Sequence, residues 1–120
     1  MSLTNLFYFI APLIGLVTLV IGISAVLRPR PMSKEFGIAV DGLALQYVIS
    51  TGIRDVFMGL AVLILYFQQN WTALGAIHLC LGIVAISDFV VVRKHGNKSK
   101  SQVHLFGAIA VIGYGFWLLS

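Results

Sequence analysis

One stretch decides the fold, Gln46–Phe67, which reads QYVISTGIRDVFMGLAVLILYF. It is long and apolar enough to cross a bilayer, because about 20 helical residues span the hydrocarbon core. Arg54 and Asp55 nevertheless lie side by side near its middle. A charged residue at the centre of a spanning helix costs about 2.5–3.5 kcal/mol on insertion scales. The stretch therefore predicts a membrane helix that carries a polar site inside the membrane.

The composition of the whole chain also indicates a membrane protein. The chain has 120 residues, of which 59% are hydrophobic and 10% charged, whereas soluble domains carry about 25% charged residues. Alternation with a period of two residues is absent, which favours helices over barrel strands. We predict an all-α, multi-pass membrane protein in which four transmembrane helices form one domain, residues 1–120. The predicted spans are residues 5–27, 45–67, 71–92 and 103–119.

Glycines predict how the helices pack. Three pairs are spaced by seven residues: Gly15 and Gly22, Gly52 and Gly59, Gly75 and Gly82. This spacing keeps small residues on one seam, where backbones approach closely in a left-handed antiparallel bundle. Asp55 falls on the seam of the second span, whereas Arg54 lies about 100° round the helix. The two charges are therefore predicted to point apart, Asp55 into a helix contact and Arg54 into a polar cleft.

The first and third spans also resemble each other. LVIGISAV at residues 19–26 matches LCLGIVAI at residues 79–86, an offset of 60 residues. A duplicated helical hairpin explains this match, and so does chance similarity between short apolar segments.

Basic residues predict the orientation in the membrane. Seven of the eight Lys and Arg residues lie in the predicted loops 28–41 and 93–102. The positive-inside rule places both loops in the cytoplasm and both termini outside the cell membrane. Nucleic-acid binding is not expected, because the basic residues lie in short loops beside lipid.

Polar residues of three spans are predicted to form one cytoplasm-facing site. The candidate catalytic residues are Arg54, Asp55, Asp88 and His104, and the candidate binding residues are Gln46, Tyr47, Thr51 and His78. A carboxylate or histidine deprotonates a water or hydroxyl while a guanidinium stabilises the negative charge that develops. We therefore expect a small lipophilic or amphiphilic ligand, and acid–base chemistry such as epoxide opening, isomerisation or hydrolysis. Arg54 is the favoured functional residue, and Asp55 the favoured structural one.

Two other functions fit the same charges. A small transporter would use them in a homodimer, because four helices enclose little volume. An accessory membrane subunit would use them only to fix the helices. No metal or cofactor is expected, since no HxxxH or ExxH spacing places two ligands on one helical face. The expected partners are membrane lipid and the small lipophilic molecule.

Three motifs carry a resemblance to a known family. They are G-x-R-[DE]-x-x-x-G at residues 52–59, the aspartate Asp88 before a basic segment, and H-x-x-G at residues 104–107. With these motifs the chain resembles an uncharacterised family of small four-span bacterial and fungal integral membrane proteins, a domain of unknown function. The resemblance covers most of residues 41–120. It implies the four-span fold and points to the same charged residues, but it implies no reaction.

The predicted topology is tested by cysteine labelling in intact cells. In a Cys80→Ala background, Ser99→Cys is expected to escape a membrane-impermeant maleimide, because residue 99 lies in a basic, cytoplasmic segment. Gln68→Cys, in the connection without basic residues, is expected to be labelled. Labelling of Ser99→Cys but not of Gln68→Cys would show that the protein has the opposite orientation in the membrane.

Overall fold

A computed structural model describes all 120 residues and is entirely helical. Four of its helical segments are long and apolar enough to cross a membrane, and the first of them joins α1 to α2. The predicted all-α, four-span architecture is confirmed. A single 3-10 turn, Gly42–Ala44, precedes α4. The α-helices are α1 (Leu3–Tyr8), α2 (Ile10–Leu27), α3 (Pro29–Phe36), α4 (Leu45–Phe67), α5 (Trp71–His95) and α6 (Lys98–Leu119).

Prolines divide the first quarter of the chain into three helices. The helix is interrupted at Phe9, three residues before Pro12, which has no N–H to donate to the helical ladder. The chain turns again at Arg28, where φ is −136° and ψ is 63°. Pro29 then begins α3 at a first-turn position, where a missing N–H costs nothing. Much of the predicted loop 28–41 is therefore helical.

The prediction of a loop at residues 93–102 is wrong, because most of this segment is helical. Only Gly96 and Asn97 separate α5 from α6. The Asn97 side chain caps α6 by accepting a hydrogen bond from the Lys100 N–H at 3.1 Å. Charged residues at a helix end lower the hydropathy without breaking the helix, so both helices extend past the apolar segments that predicted them.

Two closely packed helix pairs make up the bundle: α2 with α4, and α5 with α6. A Cβ atom on Gly22 would lie 2.6 Å from the Gly52 carbonyl oxygen, and one on Gly59 would lie 2.8 Å from the Gly15 carbonyl oxygen. The two backbones therefore meet at glycines, as the seven-residue spacing predicts.

The second pair has the same topology, and equivalent positions of its two helices meet. A Cβ atom on Gly75 would lie 3.0 Å from the Gly115 carbonyl oxygen. If the second pair repeated the first at an offset of 60 residues, the contact between Gly15 and Gly59 would recur between Gly75 and Leu119. This contact is present, since a Cβ atom on Gly75 would also lie 2.7 Å from Leu119 Cγ. Likewise, the contact between Gly22 and Gly52 recurs between Gly82 and Ile112, so equivalent positions meet in both pairs.

Aromatic side chains join the two pairs at one end, which we call the aromatic end. The ring of Tyr8 lies 4.4 Å from that of Trp71 and 5.2 Å from that of Trp117, measured between centroids. The Tyr114 hydroxyl donates a hydrogen bond of 2.8 Å to the carbonyl oxygen of Phe7. Aromatic contacts of this kind add about 0.5–1.5 kcal/mol each beyond their area.

The opposite end, which we call the basic end, is joined through α3. The Asn97 N–H donates to the Gly37 carbonyl oxygen at 2.8 Å, and Lys100 Nζ lies 3.0 Å from a carboxylate oxygen of Glu35. Gly37 ends α3 with φ at +116°, a conformation that glycine adopts without strain. The end of α3 is therefore attached to the start of α6.

The role of the glycine contacts is tested by two Gly→Ala variants. Gly22→Ala is expected to lower Tm by the equivalent of about 1–3 kcal/mol, because its methyl group meets backbone atoms that cannot move independently. Gly107→Ala is the control, since nothing lies within 4 Å of the added Cβ and alanine is the better helix former. Equal Tm values for both variants in detergent would contradict the close backbone contact.

Candidate functional site

Arg54 lies between two carboxylates. Its Nε donates to Asp55 Oδ1 at 3.2 Å, and its Nη1 and Nη2 face the two Asp88 oxygens at 3.5 and 3.2 Å. The Asp55 and Asp88 side chains are 17% exposed and that of Arg54 is 36% exposed. The predicted approach of Arg54 to Asp88 is present. The prediction that Arg54 enters a polar cleft while Asp55 enters a helix contact is wrong, because the Arg54 guanidinium reaches both carboxylates and it is Asp55 that lines a cavity.

Asp55 also faces in a second direction. It lines a cavity of about 460 Å³ between α2, α3, α4 and α6, on the basic side of the bundle. Arg54 contacts only its Oδ1 atom, and Oδ2 accepts no hydrogen bond from the protein. A carboxylate oxygen accepts up to two hydrogen bonds. Asp55 therefore retains an unused acceptor.

Most of the cavity wall is apolar. Hydrophobic side chains come from all four surrounding helices and include Ile21, Ala25, Met32, Phe36, Val48 and Val103. α3 covers the cavity at the basic end. Such a wall favours a ligand with an apolar body, because it offers few groups that would have to exchange hydrogen bonds with water.

α4 contributes one polar face to the wall. Thr51 lies one turn before Asp55, and Tyr47 lies one turn before Thr51. The Thr51 hydroxyl donates to the Tyr47 carbonyl oxygen at 2.9 Å, which leaves its oxygen free to accept. The i, i+4 spacing places all three side chains on one face of the helix. This face presents two oxygen acceptors, Thr51 Oγ1 and Asp55 Oδ2, one turn apart.

His104 completes the wall from α6. Its Nε2 lies 2.8 Å from the carbonyl oxygen of Phe36, so Nε2 carries the hydrogen and donates it. Its ring packs against that of Phe36 at 4.7 Å between centroids. The histidine therefore holds the end of α3 in place over the cavity.

The structure divides the predicted site residues into two groups. Four of them line the cavity: Tyr47, Thr51, Asp55 and His104. Four do not: Gln46, Arg54, Asp88 and His78. Of the residues predicted to share one pocket, His104 therefore lines this cavity, whereas Arg54 and Asp88 do not. Arg54 faces α5, where it contacts Asp88. The next residue, Asp55, lies about 100° further round α4 and faces the cavity.

His78 belongs to the aromatic end. It is fully buried, and its Nδ1 donates to the Leu74 carbonyl oxygen at 2.7 Å. Its ring meets that of Tyr114 edge-on, at 5.0 Å between centroids. A helix-backbone hydrogen bond and an aromatic contact make His78 part of the core.

Sequence reasoning missed the contribution of α3. Ser33 is almost fully buried, and its hydroxyl donates to the Arg30 carbonyl oxygen while accepting from the Val40 N–H. Met32 and Phe36 face the cavity. Their spacing of four residues is the signal that could have identified a helical face in the predicted loop.

An ion pair secures the chain that leads from α3 to α4. Arg30 Nη2 lies 2.7 Å from Asp41 Oδ1, and the Gly42 N–H donates to the same oxygen. Hydrogen bonding from the Arg30 guanidinium, followed by that from Gly42, lowers the pKa of Asp41 below its usual value. Both side chains are exposed, so the pair contributes little to stability.

The salt bridges of Arg54 are tested by charge removal. Arg54→Gln is expected to destabilise the protein by about 3 kcal/mol, because it leaves two carboxylates without a counter-charge inside a span. Adding Asp88→Asn is expected to recover part of this loss, since one carboxylate then disappears. Thermal unfolding in detergent measures both. A double variant no more stable than Arg54→Gln alone would show that Asp88 does not depend on Arg54.

Comparison with known proteins supports the family resemblance. The family model described as Domain of unknown function (DUF4267) matches residues 15–118, a range that includes Arg54, Asp55, Asp88 and His104. No curated protein and no solved structure matches the chain. The matched range covers most of the chain and reaches all four spans, and the chain therefore belongs to the DUF4267 family.

Proposed function

We propose that the protein binds a small amphiphilic molecule within the membrane, in the cavity beneath α3. One observation carries the proposal: a largely apolar cavity of about 460 Å³ is lined by the carboxyl group of Asp55, whose Oδ2 atom accepts no hydrogen bond from the protein. The volume lies within the range of small-molecule sites, about 300–1,000 Å³. A ligand with an apolar body and one polar group would match both the apolar wall and the Asp55 carboxylate.

The arrangement of the helices supports access from the lipid. α2 and α6 both line the cavity, yet α2 packs mainly on α4, and α6 on α5. Ile21 on α2 and Val103 on α6 are 44% and 67% exposed. In a bilayer, exposed surface in the spans faces acyl chains. A molecule dissolved in the membrane would therefore enter sideways, between α2 and α6.

α3 supports retention of the ligand at the basic end. It lies across the cavity, and its C-terminal end is held by the hydrogen bond between His104 Nε2 and the Phe36 carbonyl oxygen and by the Lys100–Glu35 ion pair. Contacts with two neighbouring helices restrain this short helix. By covering the cavity, α3 would limit the access of water to the Asp55 carboxylate.

Binding is better supported than chemical turnover. The Arg54 nitrogens face Asp55 and Asp88, and Arg54 does not line the cavity, so it could not stabilise negative charge on a substrate there. Acid–base chemistry would depend instead on Asp55 and His104, which share the cavity wall. Binding requires only the Asp55 acceptor and the apolar wall.

The proposal is tested by filling the cavity. Val48→Trp is expected to abolish binding of octyl-chain amphiphiles, because the indole would occupy the space that the chain requires. Octylamine, 1-octanol and octanoate serve as probes, and native mass spectrometry of protein released from phosphatidylcholine nanodiscs counts the bound molecules.

Val90→Trp is the matched control. It makes the same substitution at a lipid-exposed position of α5 outside the cavity, and it is expected to bind like the wild type. The proposal fails if no octyl probe binds the wild type, or if Val48→Trp binds as well as Val90→Trp.

A further inference from the structure

The charges around the cavity do not balance. Asp55, Asp88 and Arg54 together carry two negative charges and one positive charge inside the membrane. No Lys or Arg lines the cavity. Glu35, the other acidic residue of the wall, already pairs with Lys100. With His104, the titratable histidine of the wall, counted as neutral, the group of three leaves one negative charge without a partner.

A bilayer makes such a residual charge costly, because water does not solvate it there. A bound cation would neutralise it. We propose that the ligand is a lipophilic amine, whose ammonium group lies against Asp55 Oδ2. This inference rests on the proposed function, since it assigns the chemical class of the molecule that occupies the cavity.

The polar face of α4 fits an ammonium group. An ammonium has three N–H donors and no acceptor, and the wall offers it two acceptors one turn apart, Asp55 Oδ2 and Thr51 Oγ1. The Thr51 hydroxyl hydrogen is directed to the Tyr47 carbonyl oxygen, so the hydroxyl presents its oxygen to the ligand. The alkyl part would lie against Ile21 and Val48.

Two other head groups fit less well. An alcohol would donate one hydrogen bond to Asp55 Oδ2 and leave the negative charge unneutralised. A carboxylate would add a second negative charge beside Asp55, with no Lys or Arg in the wall to receive it, and the Nε2 hydrogen of His104 is already donated to the Phe36 carbonyl oxygen. The charge pattern therefore orders the three head groups as amine, alcohol and carboxylate.

The experiment measures this order with octylamine, 1-octanol and octanoate near pH 7.5, using native mass spectrometry of protein released from phosphatidylcholine nanodiscs. The wild type is expected to bind octylamine about tenfold more tightly than 1-octanol, as a charge-assisted hydrogen bond implies, and octanoate most weakly. Asp55→Asn is expected to abolish the preference for the amine. Asp41→Asn, the same substitution at an exposed aspartate outside the cavity, is expected to keep it.

The outcomes separate the two proposals. If the probes bind the wild type but 1-octanol or octanoate matches octylamine, the amine assignment is overturned and the cavity remains a binding site. If none binds, the proposed function itself fails. If Asp55→Asn does not fold, the order of probe affinities in the wild type tests the assignment. Thr51→Val provides a second test, because it is expected to weaken octylamine binding more than 1-octanol binding. An amine preference that survives Asp55→Asn also overturns the assignment.

Discussion

Charge neutralisation inside the membrane is the constraint on which the centre of the molecule depends. α4 carries Arg54 and Asp55 in the middle of a span, and only Asp88 on α5 supplies a further side chain to them. The resulting salt bridges join the two helix pairs between their aromatic and basic ends. Arg54 engages only one oxygen of Asp55, and the Asp55 carboxyl group also lines the cavity. The same contacts thus secure the helices and leave an acceptor free.

The short helix α3 connects this centre to the basic end. Without it, the space between α2, α4 and α6 would open to the aqueous side. Pro29 begins the helix and Gly37 ends it, while His104 and Lys100 attach it to α6. The proposed site therefore depends on both helix pairs: the first pair and α3 supply most of the wall, and the second pair holds the cover in place.

Local rules predicted much of the fold. Apolar segments of about 20 residues identified the four spans, and glycines spaced by seven identified the seam where Gly22 meets Gly52. The same rules failed at the ends of the spans. Hydropathy locates the membrane rather than the helix, so it could not detect that α5 and α6 continue to either side of Gly96 and Asn97. An N-cap asparagine was the available signal.

The sequence by itself determined the number of spans, their glycine contacts and the set of intramembrane polar residues, because these follow from hydropathy and from spacing along one helix. Only the tertiary structure decided which charged residue faces the cavity. Adjacent residues on a helix differ by 100° in direction, and the rotation of α4 relative to α3, α5 and α6 is a property of the whole bundle. That rotation, with the reach of the arginine side chain, directs Arg54 to Asp88 and leaves Asp55 in the cavity wall.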